Sequence, residues 1–222
     1  MIRAVLIDVD DTLLDFRLCA KASMERAAAK AGIDLPDNAT EVFFPLNDSL
    51  WKQIETGQMT LDELHRTRWK KVFDALGICG DGEAFEVLFR RELAESAEPT
   101  HGARRLLEHL HGRYVLGIAS NAPYDQQLHR LQLAGFHTYF RHLFVSERIG
   151  AAKPSPAFFE ACCRALEPIP PHQILMIGDS LRADVRGAKA AGMKTCWLNR
   201  RGEKSDEADY TVSSLEEVLG LL

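Results

Sequence analysis

The sequence predicts an α/β protein built on a doubly wound parallel sheet, with a block of helices inserted into it. Three observations predict it. Short, almost wholly apolar runs recur at 2–7, 114–119, 143–145, 174–177 and 195–198. They are too short for helices and read as strands buried on both faces, as in a parallel sheet. From residue 100 onward these runs alternate with helical segments, the rhythm of a doubly wound fold. Between residues 16 and 98 the alternation stops and only helical patterns remain.

Taken in order, the first strand ends at Asp8. Helical patterns then run over 17–31, 40–56, 60–76 and 82–96, punctuated by Gly32, Pro36, Gly57, Gly77 and Gly80. Thr60-x-x-Glu63 has the form of a capping box. The domain expectation is therefore a core of residues 1–15 and 99–222 and a helical cap of 16–98. An insertion at that point would place its helices over the carboxyl ends of the strands, where open α/β sheets bind ligands. Next, 101–111 carries Leu106, Leu107 and Leu110 on one face, with Thr100 as N-cap and Gly112 beyond the end. Ser155 and Pro156 open the following helix as N-cap and first residue. Asp179 and Ser180 open another, which ends at Gly192. Ser214-x-x-Glu217 is a second capping box, for a helix running to the C-terminus.

Composition narrows the function. With 222 residues, 46% hydrophobic and 27% charged, the chain is neither collagen-like, disordered nor a disulfide miniprotein. Its net charge is −5, from 27 basic and 32 acidic residues, which argues against a partner bound by phosphate neutralisation, and so against a nucleic acid polymer. An anionic substrate must be met by local donors or a metal. Five scattered cysteines without a CxxC pair read as reduced thiols. Acidic residues interrupt the N-terminal apolar stretch, and no apolar run approaches the ~18 residues of a membrane span. The expectation is a cytoplasmic protein without a membrane partner, acting as a monomer or homodimer on a small metabolite.

Four features gather at strand ends. Asp8-Val9-Asp10-Asp11-Thr12 follows the first strand; residues two apart point to one side, so Asp8 and Asp10 can share a space. Close carboxylates repel unless a cation lies between them or one stays protonated and serves as an acid. Alone, three aspartates also describe a helix cap or a solvated turn. Ser120-Asn121, after the second run, can supply a hydroxyl, an amide and backbone N–H groups to a phosphate oxygen, though such turns are common. Lys153 precedes Pro154 and a helix N-terminus, an anion-friendly place, although a loop lysine is usually only solvated. Gly178-Asp179-Ser180-Leu181-Arg182-Ala183-Asp184 follows the 174–177 run, and its two acids can face one metal or simply complement a helix dipole. Together they form an oxygen-rich site suited to Mg²⁺, with donors for a phosphate. No Gly-x-x-x-x-Gly-Lys, strand-linked Gly-x-Gly-x-x-Gly or Gly-x-Ser-x-Gly is present, which removes the nucleoside-triphosphate, dinucleotide and serine-hydrolase readings.

Asp8-x-Asp10-x-Thr12, Ser120, Lys153 and Gly178-Asp179-x-x-x-x-Asp184 resemble the four ordered motifs of the haloacid dehalogenase (HAD) superfamily, and the likeness covers the whole chain. The resemblance implies a Rossmann-like core with a helical cap, and Mg²⁺ as cofactor. It implies that Asp8 is the nucleophile forming an aspartyl-phosphate, and that Asp10 protonates the leaving oxygen and later helps deprotonate water. The metal would be held by the Asp8 and Asp179 carboxylates, the main-chain carbonyl of Asp10, and Asp184. Ser120 and Lys153 would hold the phosphoryl group, assisted by Thr12 and Asn121. Within the superfamily, dehalogenases lack the acid at position 10, so the resemblance implies a phosphatase of a small phosphate monoester.

Leu50-Trp51, Gly57-Gln58-Met59-Thr60, Arg68-Trp69, Thr195-Cys196-Trp197-Leu198-Asn199 and Thr211-Val212-Ser213-Ser214-Leu215 are further similar to the house-cleaning pyrimidine 5′-nucleotidase branch. A nucleoside monophosphate is then the expected substrate, with sugar phosphates or phosphoglycolate as the alternative, and a non-catalytic phosphate-binding HAD-fold protein as the reading from another class. Trp51, Trp69, Phe43, Phe44, Phe85 and Phe89 read as cap core, and Trp197 as packing in an edge-type run late in the sheet. Arg68 could meet a nucleotide or pair with Asp62 or Glu63.

Overall fold

Six parallel strands carry the larger part of the chain in the computed structural model, which describes all 222 residues. They are β1 (Ala4–Ile7), β2 (Val115–Ser120), β3 (His142–Val145), β4 (Ile174–Gly178), β5 (Lys194–Leu198) and β6 (Tyr210–Val212), arranged β3-β2-β1-β4-β5-β6. This is the Rossmann-like order, with ligands expected where it reverses about β1. Register makes that position definite. Ile7 pairs with both Ile118 and Ile177, so the chain beyond β1, β2 and β4 emerges at one edge of the sheet.

The strands are apolar throughout because both faces are covered. Val5 and Ile7 pack on one side with Leu106, Leu110, Ile118 and Phe136; Ala4 and Leu6 pack on the other with Phe144, Phe158, Phe159 and Met176. Helices α1 (Phe16–Ala31), α2 (Ala39–Glu55), α3 (Leu61–Leu76) and α4 (Gly82–Ala94) lie between β1 and β2 in sequence. The sheet is flanked by α5 (Ala103–Leu110), α6 (Tyr124–Leu133), α7 (Ser146–Ile149), α8 (Pro156–Ala165), α9 (Gly187–Ala190) and α10 (Leu215–Val218). By contacts the chain divides into two compact units, Met1–Phe16 with Ala97–Leu222, and Arg17–Ser96. No helix is long and apolar enough to cross a membrane.

Four local expectations need correction. The N-cap of α5 is Gly102, not Thr100. Gly102 adopts φ +81° with the Glu216 carboxyl against it, where a Cβ would lie 2.5 Å from the Glu216 carboxyl carbon. Ser214 is the N-cap of α10 but closes no capping box: Glu217 instead accepts from the backbone and hydroxyl of Ser213, and the helix spans four residues only. β6 lies outside β5, so Trp197 is not in an edge strand. In β6 only Val212 is buried, too little apolar pattern to read from sequence. Arg68, the fourth, pairs with neither acid of its own helix.

In the helical unit the Thr60 capping box forms as read: Thr60 Oγ1 accepts from the Glu63 N–H at 3.2 Å, and Glu63 Oε2 accepts from the Thr60 N–H at 2.7 Å. Phe43, Trp69, Phe73, Phe85 and Phe89 form its core, with the Trp69 and Phe85 rings 4.4 Å apart. Arg68, on α3, is buried against them and pairs with neither Asp62 nor Glu63. Its Nη2 and Nε donate to Glu86 on α4 at 2.6 and 3.1 Å, and its Nη1 donates to Asn47 on α2 at 2.9 Å. Asp62 pairs with Arg66 instead. Burial first of all raises the Glu86 carboxyl above its ordinary range, and the Arg68 charge opposes that rise.

Candidate active site

Asp8 continues β1, its N–H donating to the Ile177 carbonyl at 2.9 Å. The chain then turns through Asp11, whose φ of +57° lies in the left-handed region that Asp tolerates better than most residues. Asp11 Oδ1 accepts from the Phe16 N–H at 3.2 Å and so ties that turn to the start of α1. Asp179 follows β4 directly, and its carbonyl accepts from the Trp197 indole N–H at 2.8 Å. Trp197 thus anchors the backbone of a site residue as well as packing. Asp184 reaches the same place from the widened helical turn Leu181–Arg186, capped by the Ser180 hydroxyl. Its Oδ2 accepts from the Ser180 N–H at 3.1 Å. Gly178 makes the approach possible: a Cβ there would lie 2.1 Å from Asp184 Oδ2.

One carboxylate oxygen from each of Asp8, Asp179 and Asp184 lies within 4.8 Å of the others. Lys153, also buried, donates from Nζ to Asp8 Oδ1 at 2.7 Å and to Asp184 Oδ1 at 2.6 Å. Two of the three carboxylates therefore share one ammonium, and Asp179 has no bond to it. Burial pushes the Asp8 carboxyl up to about 7; Lys153 opposes the rise, and the Asp184 and Asp10 charges add to it. Asp179 is held well above the carboxylate range by burial and then by Asp8 and Asp184. Burial alone would lower Lys153, but Asp184 and Asp8 reverse this and hold it above its ordinary value. A buried excess of negative charge with oxygen donors only fits a small, hard divalent cation such as Mg²⁺.

The Asp10 carboxylate lies outside that cluster. Its Oδ1 accepts from Arg130 Nη1 at 2.6 Å, and its Oδ2 accepts from Gln127 Nε2 at 2.7 Å. Gln127 Nε2 also donates to Ser120 Oγ at 2.9 Å, and the same oxygen accepts from the Ala122 N–H at 3.2 Å. The side chain of Asn121 serves the lysine loop: its Nδ2 donates to the Lys153 carbonyl at 2.9 Å, and its Oδ1 accepts from the Lys153 N–H at 2.8 Å. Thr12 is buried, and its hydroxyl has no hydrogen-bond partner in the protein. Asp8, Asp179, Asp184 and Lys153 thus come together directly, and Asp10 and Ser120 are joined through Gln127. Sequence reading passed over Gln127, Arg130 and the tie from Trp197 to Asp179. The signal available for the first two was a polar i, i+3 pair on the helix after Ser120-Asn121.

Comparison with known proteins agrees with this arrangement. The family model for haloacid dehalogenase-like hydrolase matches residues 2–192. HAD-hydrolase YfnB of Bacillus subtilis (strain 168) is 32% identical over 99% of this chain and 95% of its own. Its magnesium-bound crystal structure superposes with a TM-score of 0.94, covering 100% of this chain and 98% of that one. Two pyrimidine 5′-nucleotidases are similar over nearly the full length. PynA of Streptococcus pneumoniae (strain ATCC BAA-255 / R6) is 31% identical over 98% of this chain and 94% of its own. YjjG of Escherichia coli (strain K12) is 29% identical over 98% and 96%. With its sheet order, its carboxylate cluster and a match spanning most of its length, the chain belongs to the haloacid dehalogenase-like hydrolase family, among relatives named as phosphatases and nucleotidases.

Proposed function

We propose that the protein is a Mg²⁺-dependent phosphatase that passes the phosphoryl group of a small monoester to Asp8 and then to water, and that its substrate is a pyrimidine nucleoside monophosphate. The observation that carries the chemistry is the position of Asp8, held by Lys153 and set beside Asp179 and Asp184. The substrate rests on the two full-length relatives named pyrimidine 5′-nucleotidases. A non-catalytic phosphate-binding role is disfavoured because nucleophile, acid, lysine and metal carboxylates are all present.

Asp8, Asp179 and Asp184, with the Asp10 main-chain carbonyl, would hold the cation. When bound, the cation supplies charge neutralisation and Lewis acidity at the phosphoryl oxygens. Lys153 Nζ, with two of its three protons on carboxylates, has a third for the phosphoryl group, and Ser120 Oγ offers a hydroxyl proton. A carboxylate oxygen of Asp8 attacks phosphorus as the ester oxygen departs, taking its proton from Asp10. Asp10 then accepts the proton of the water that hydrolyses the aspartyl-phosphate, returning Asp8 and releasing phosphate.

The test is phosphate release by the purified protein across pyrimidine and purine nucleoside monophosphates, sugar phosphates and phosphoglycolate, with Mg²⁺ and after chelation. Preference for UMP, dUMP or dTMP and loss on chelation are expected. Preference for a sugar phosphate or phosphoglycolate overturns the substrate, activity that persists in chelator overturns the metal, and no turnover of any monoester overturns the chemistry.

Gly178→Ala probes the metal cluster separately. The new methyl group would lie 2.1 Å from Asp184 Oδ2 and displace that carboxylate. The Mg²⁺ concentration for half-maximal activity is expected to rise about 10-fold or more, as for other losses of ligand positioning. An unchanged Mg²⁺ titration would show that Asp184 does not contribute through this geometry.

A further inference from the structure

We propose that Gln127 and Arg130 are positioning residues that hold the Asp10 carboxylate in line for proton transfer and couple it to Ser120. The inference rests on the phosphatase reading, in which Asp10 is the acid. Both residues project from one face of α6 and are fully buried. A buried guanidinium is costly unless a charge and hydrogen bonds meet it. Here Arg130 Nη1 meets Asp10 Oδ1 at 2.6 Å and Gln127 Oε1 at 3.1 Å, while Gln127 Nε2 meets Asp10 Oδ2 at 2.7 Å and Ser120 Oγ at 2.9 Å. Each oxygen of Asp10 is thus engaged by a different donor, which fixes the rotation of the carboxylate. The Asp10 side chain nevertheless keeps 29% of its surface open, so it is held without being sealed off. Through Gln127, the group that protonates the leaving oxygen and the hydroxyl that faces the phosphoryl group share one rigid amide.

Their hydrogen bonds described above go to Asp10, to Ser120 and to each other, so their loss should impair proton delivery far more than attack by Asp8. That difference is readable from the leaving group. An alkyl alcohol needs a proton as it departs; p-nitrophenolate departs without one. The quantity to compare is kcat/KM, which covers the steps up to the aspartyl-phosphate and excludes its hydrolysis. Wild type, Asp10→Ala, Gln127→Met, Arg130→Met and Arg130→Lys would each be assayed on p-nitrophenyl phosphate and on a simple alkyl phosphate, with thermal melting to establish folding.

General acid catalysis contributes typically about 10²- to 10⁴-fold, and misplacing the acid forfeits part of it. Gln127→Met and Arg130→Met are expected to lose about 10- to 100-fold on the alkyl ester and less than about 3-fold on the nitrophenyl ester. Arg130→Lys is expected to fall between wild type and Arg130→Met. Equal losses on both esters, or no loss on either, would overturn the proposal, and Gln127→Met carries the test should the Arg130 variants fail to fold. Failure of the underlying reading looks different: wild type would hydrolyse neither ester, or Asp10→Ala would itself show no dependence on the leaving group.

Discussion

Asp8→Asn is expected to reduce phosphate release by on the order of 10⁴-fold or more, the scale on which covalent catalysts fail when their nucleophile is removed. The amide keeps the size of the carboxylate and its place at the end of β1, so the sheet register through Ile7 and the backbone bond to Ile177 should survive. What goes is the anionic oxygen that attacks phosphorus and one of the two carboxylates that share Lys153 Nζ. The loss would not be recovered by more Mg²⁺. Asp179→Asn provides the contrast: a residue that serves only the metal should lose affinity for Mg²⁺ and regain activity as its concentration rises. The measurement is steady-state phosphate release over a Mg²⁺ titration for both variants. Activity of Asp8→Asn that returned at high Mg²⁺, or that stayed above about a hundredth of wild type, would reassign Asp8 from nucleophile to ligand.

Arg68→Met is expected to destabilise the helical unit by about 3–5 kcal/mol, the usual consequence of leaving one member of a buried ion pair without the other. Arg68 and Glu86 are 3% and 2% exposed, the guanidinium grips both carboxylate oxygens, and Asn47 takes a further donor. The guanidinium also lies over the Phe89 ring, 5.0 Å from its centroid. Removing it leaves Glu86 buried among aromatic rings, where it must either remain charged at great cost or take up a proton. Glu86→Leu combined with Arg68→Met removes both charges and should recover most of the loss, because apolar packing often replaces a buried ion pair without penalty. Trp51 and Trp69 make the urea transition of this unit visible by fluorescence. A stable Arg68→Met protein with a raised KM would instead mean that Arg68 binds substrate.

Much was legible from local pattern. Apolar runs marked five of the strands, and the residues directly beyond them, Asp8, Ser120 and Asp179, were the ones with chemistry to offer. Helical periodicity and the Thr60-x-x-Glu63 box located α1 to α4 within one or two residues at most ends. These signals are readable because each involves neighbours a few positions apart, whose geometry is set by one turn of helix or the alternation of one strand. β6 escaped because a strand with a single buried side chain has almost no pattern.

The partners of buried polar groups followed no such rule. Arg68, for which the sequence leaves open a nucleotide or an acid on its own helix, pairs with Glu86, eighteen residues away, because α3 packs on α4 with Gly82 so close that a Cβ would lie 2.4 Å from the Lys70 nitrogen. Asp10 meets Gln127 and Arg130 across separations of 117 and 120 residues, and Asn121 serves Lys153 across 32. The sequence by itself determined the fold class, the order of the strands' polar ends and the identity of the carboxylates and the lysine gathered there. Only the tertiary structure decided which of those groups touch. A buried charge must be compensated by whatever donor the packing of sheet and helices brings within about 3 Å, and spacing along the chain carries no measure of that distance.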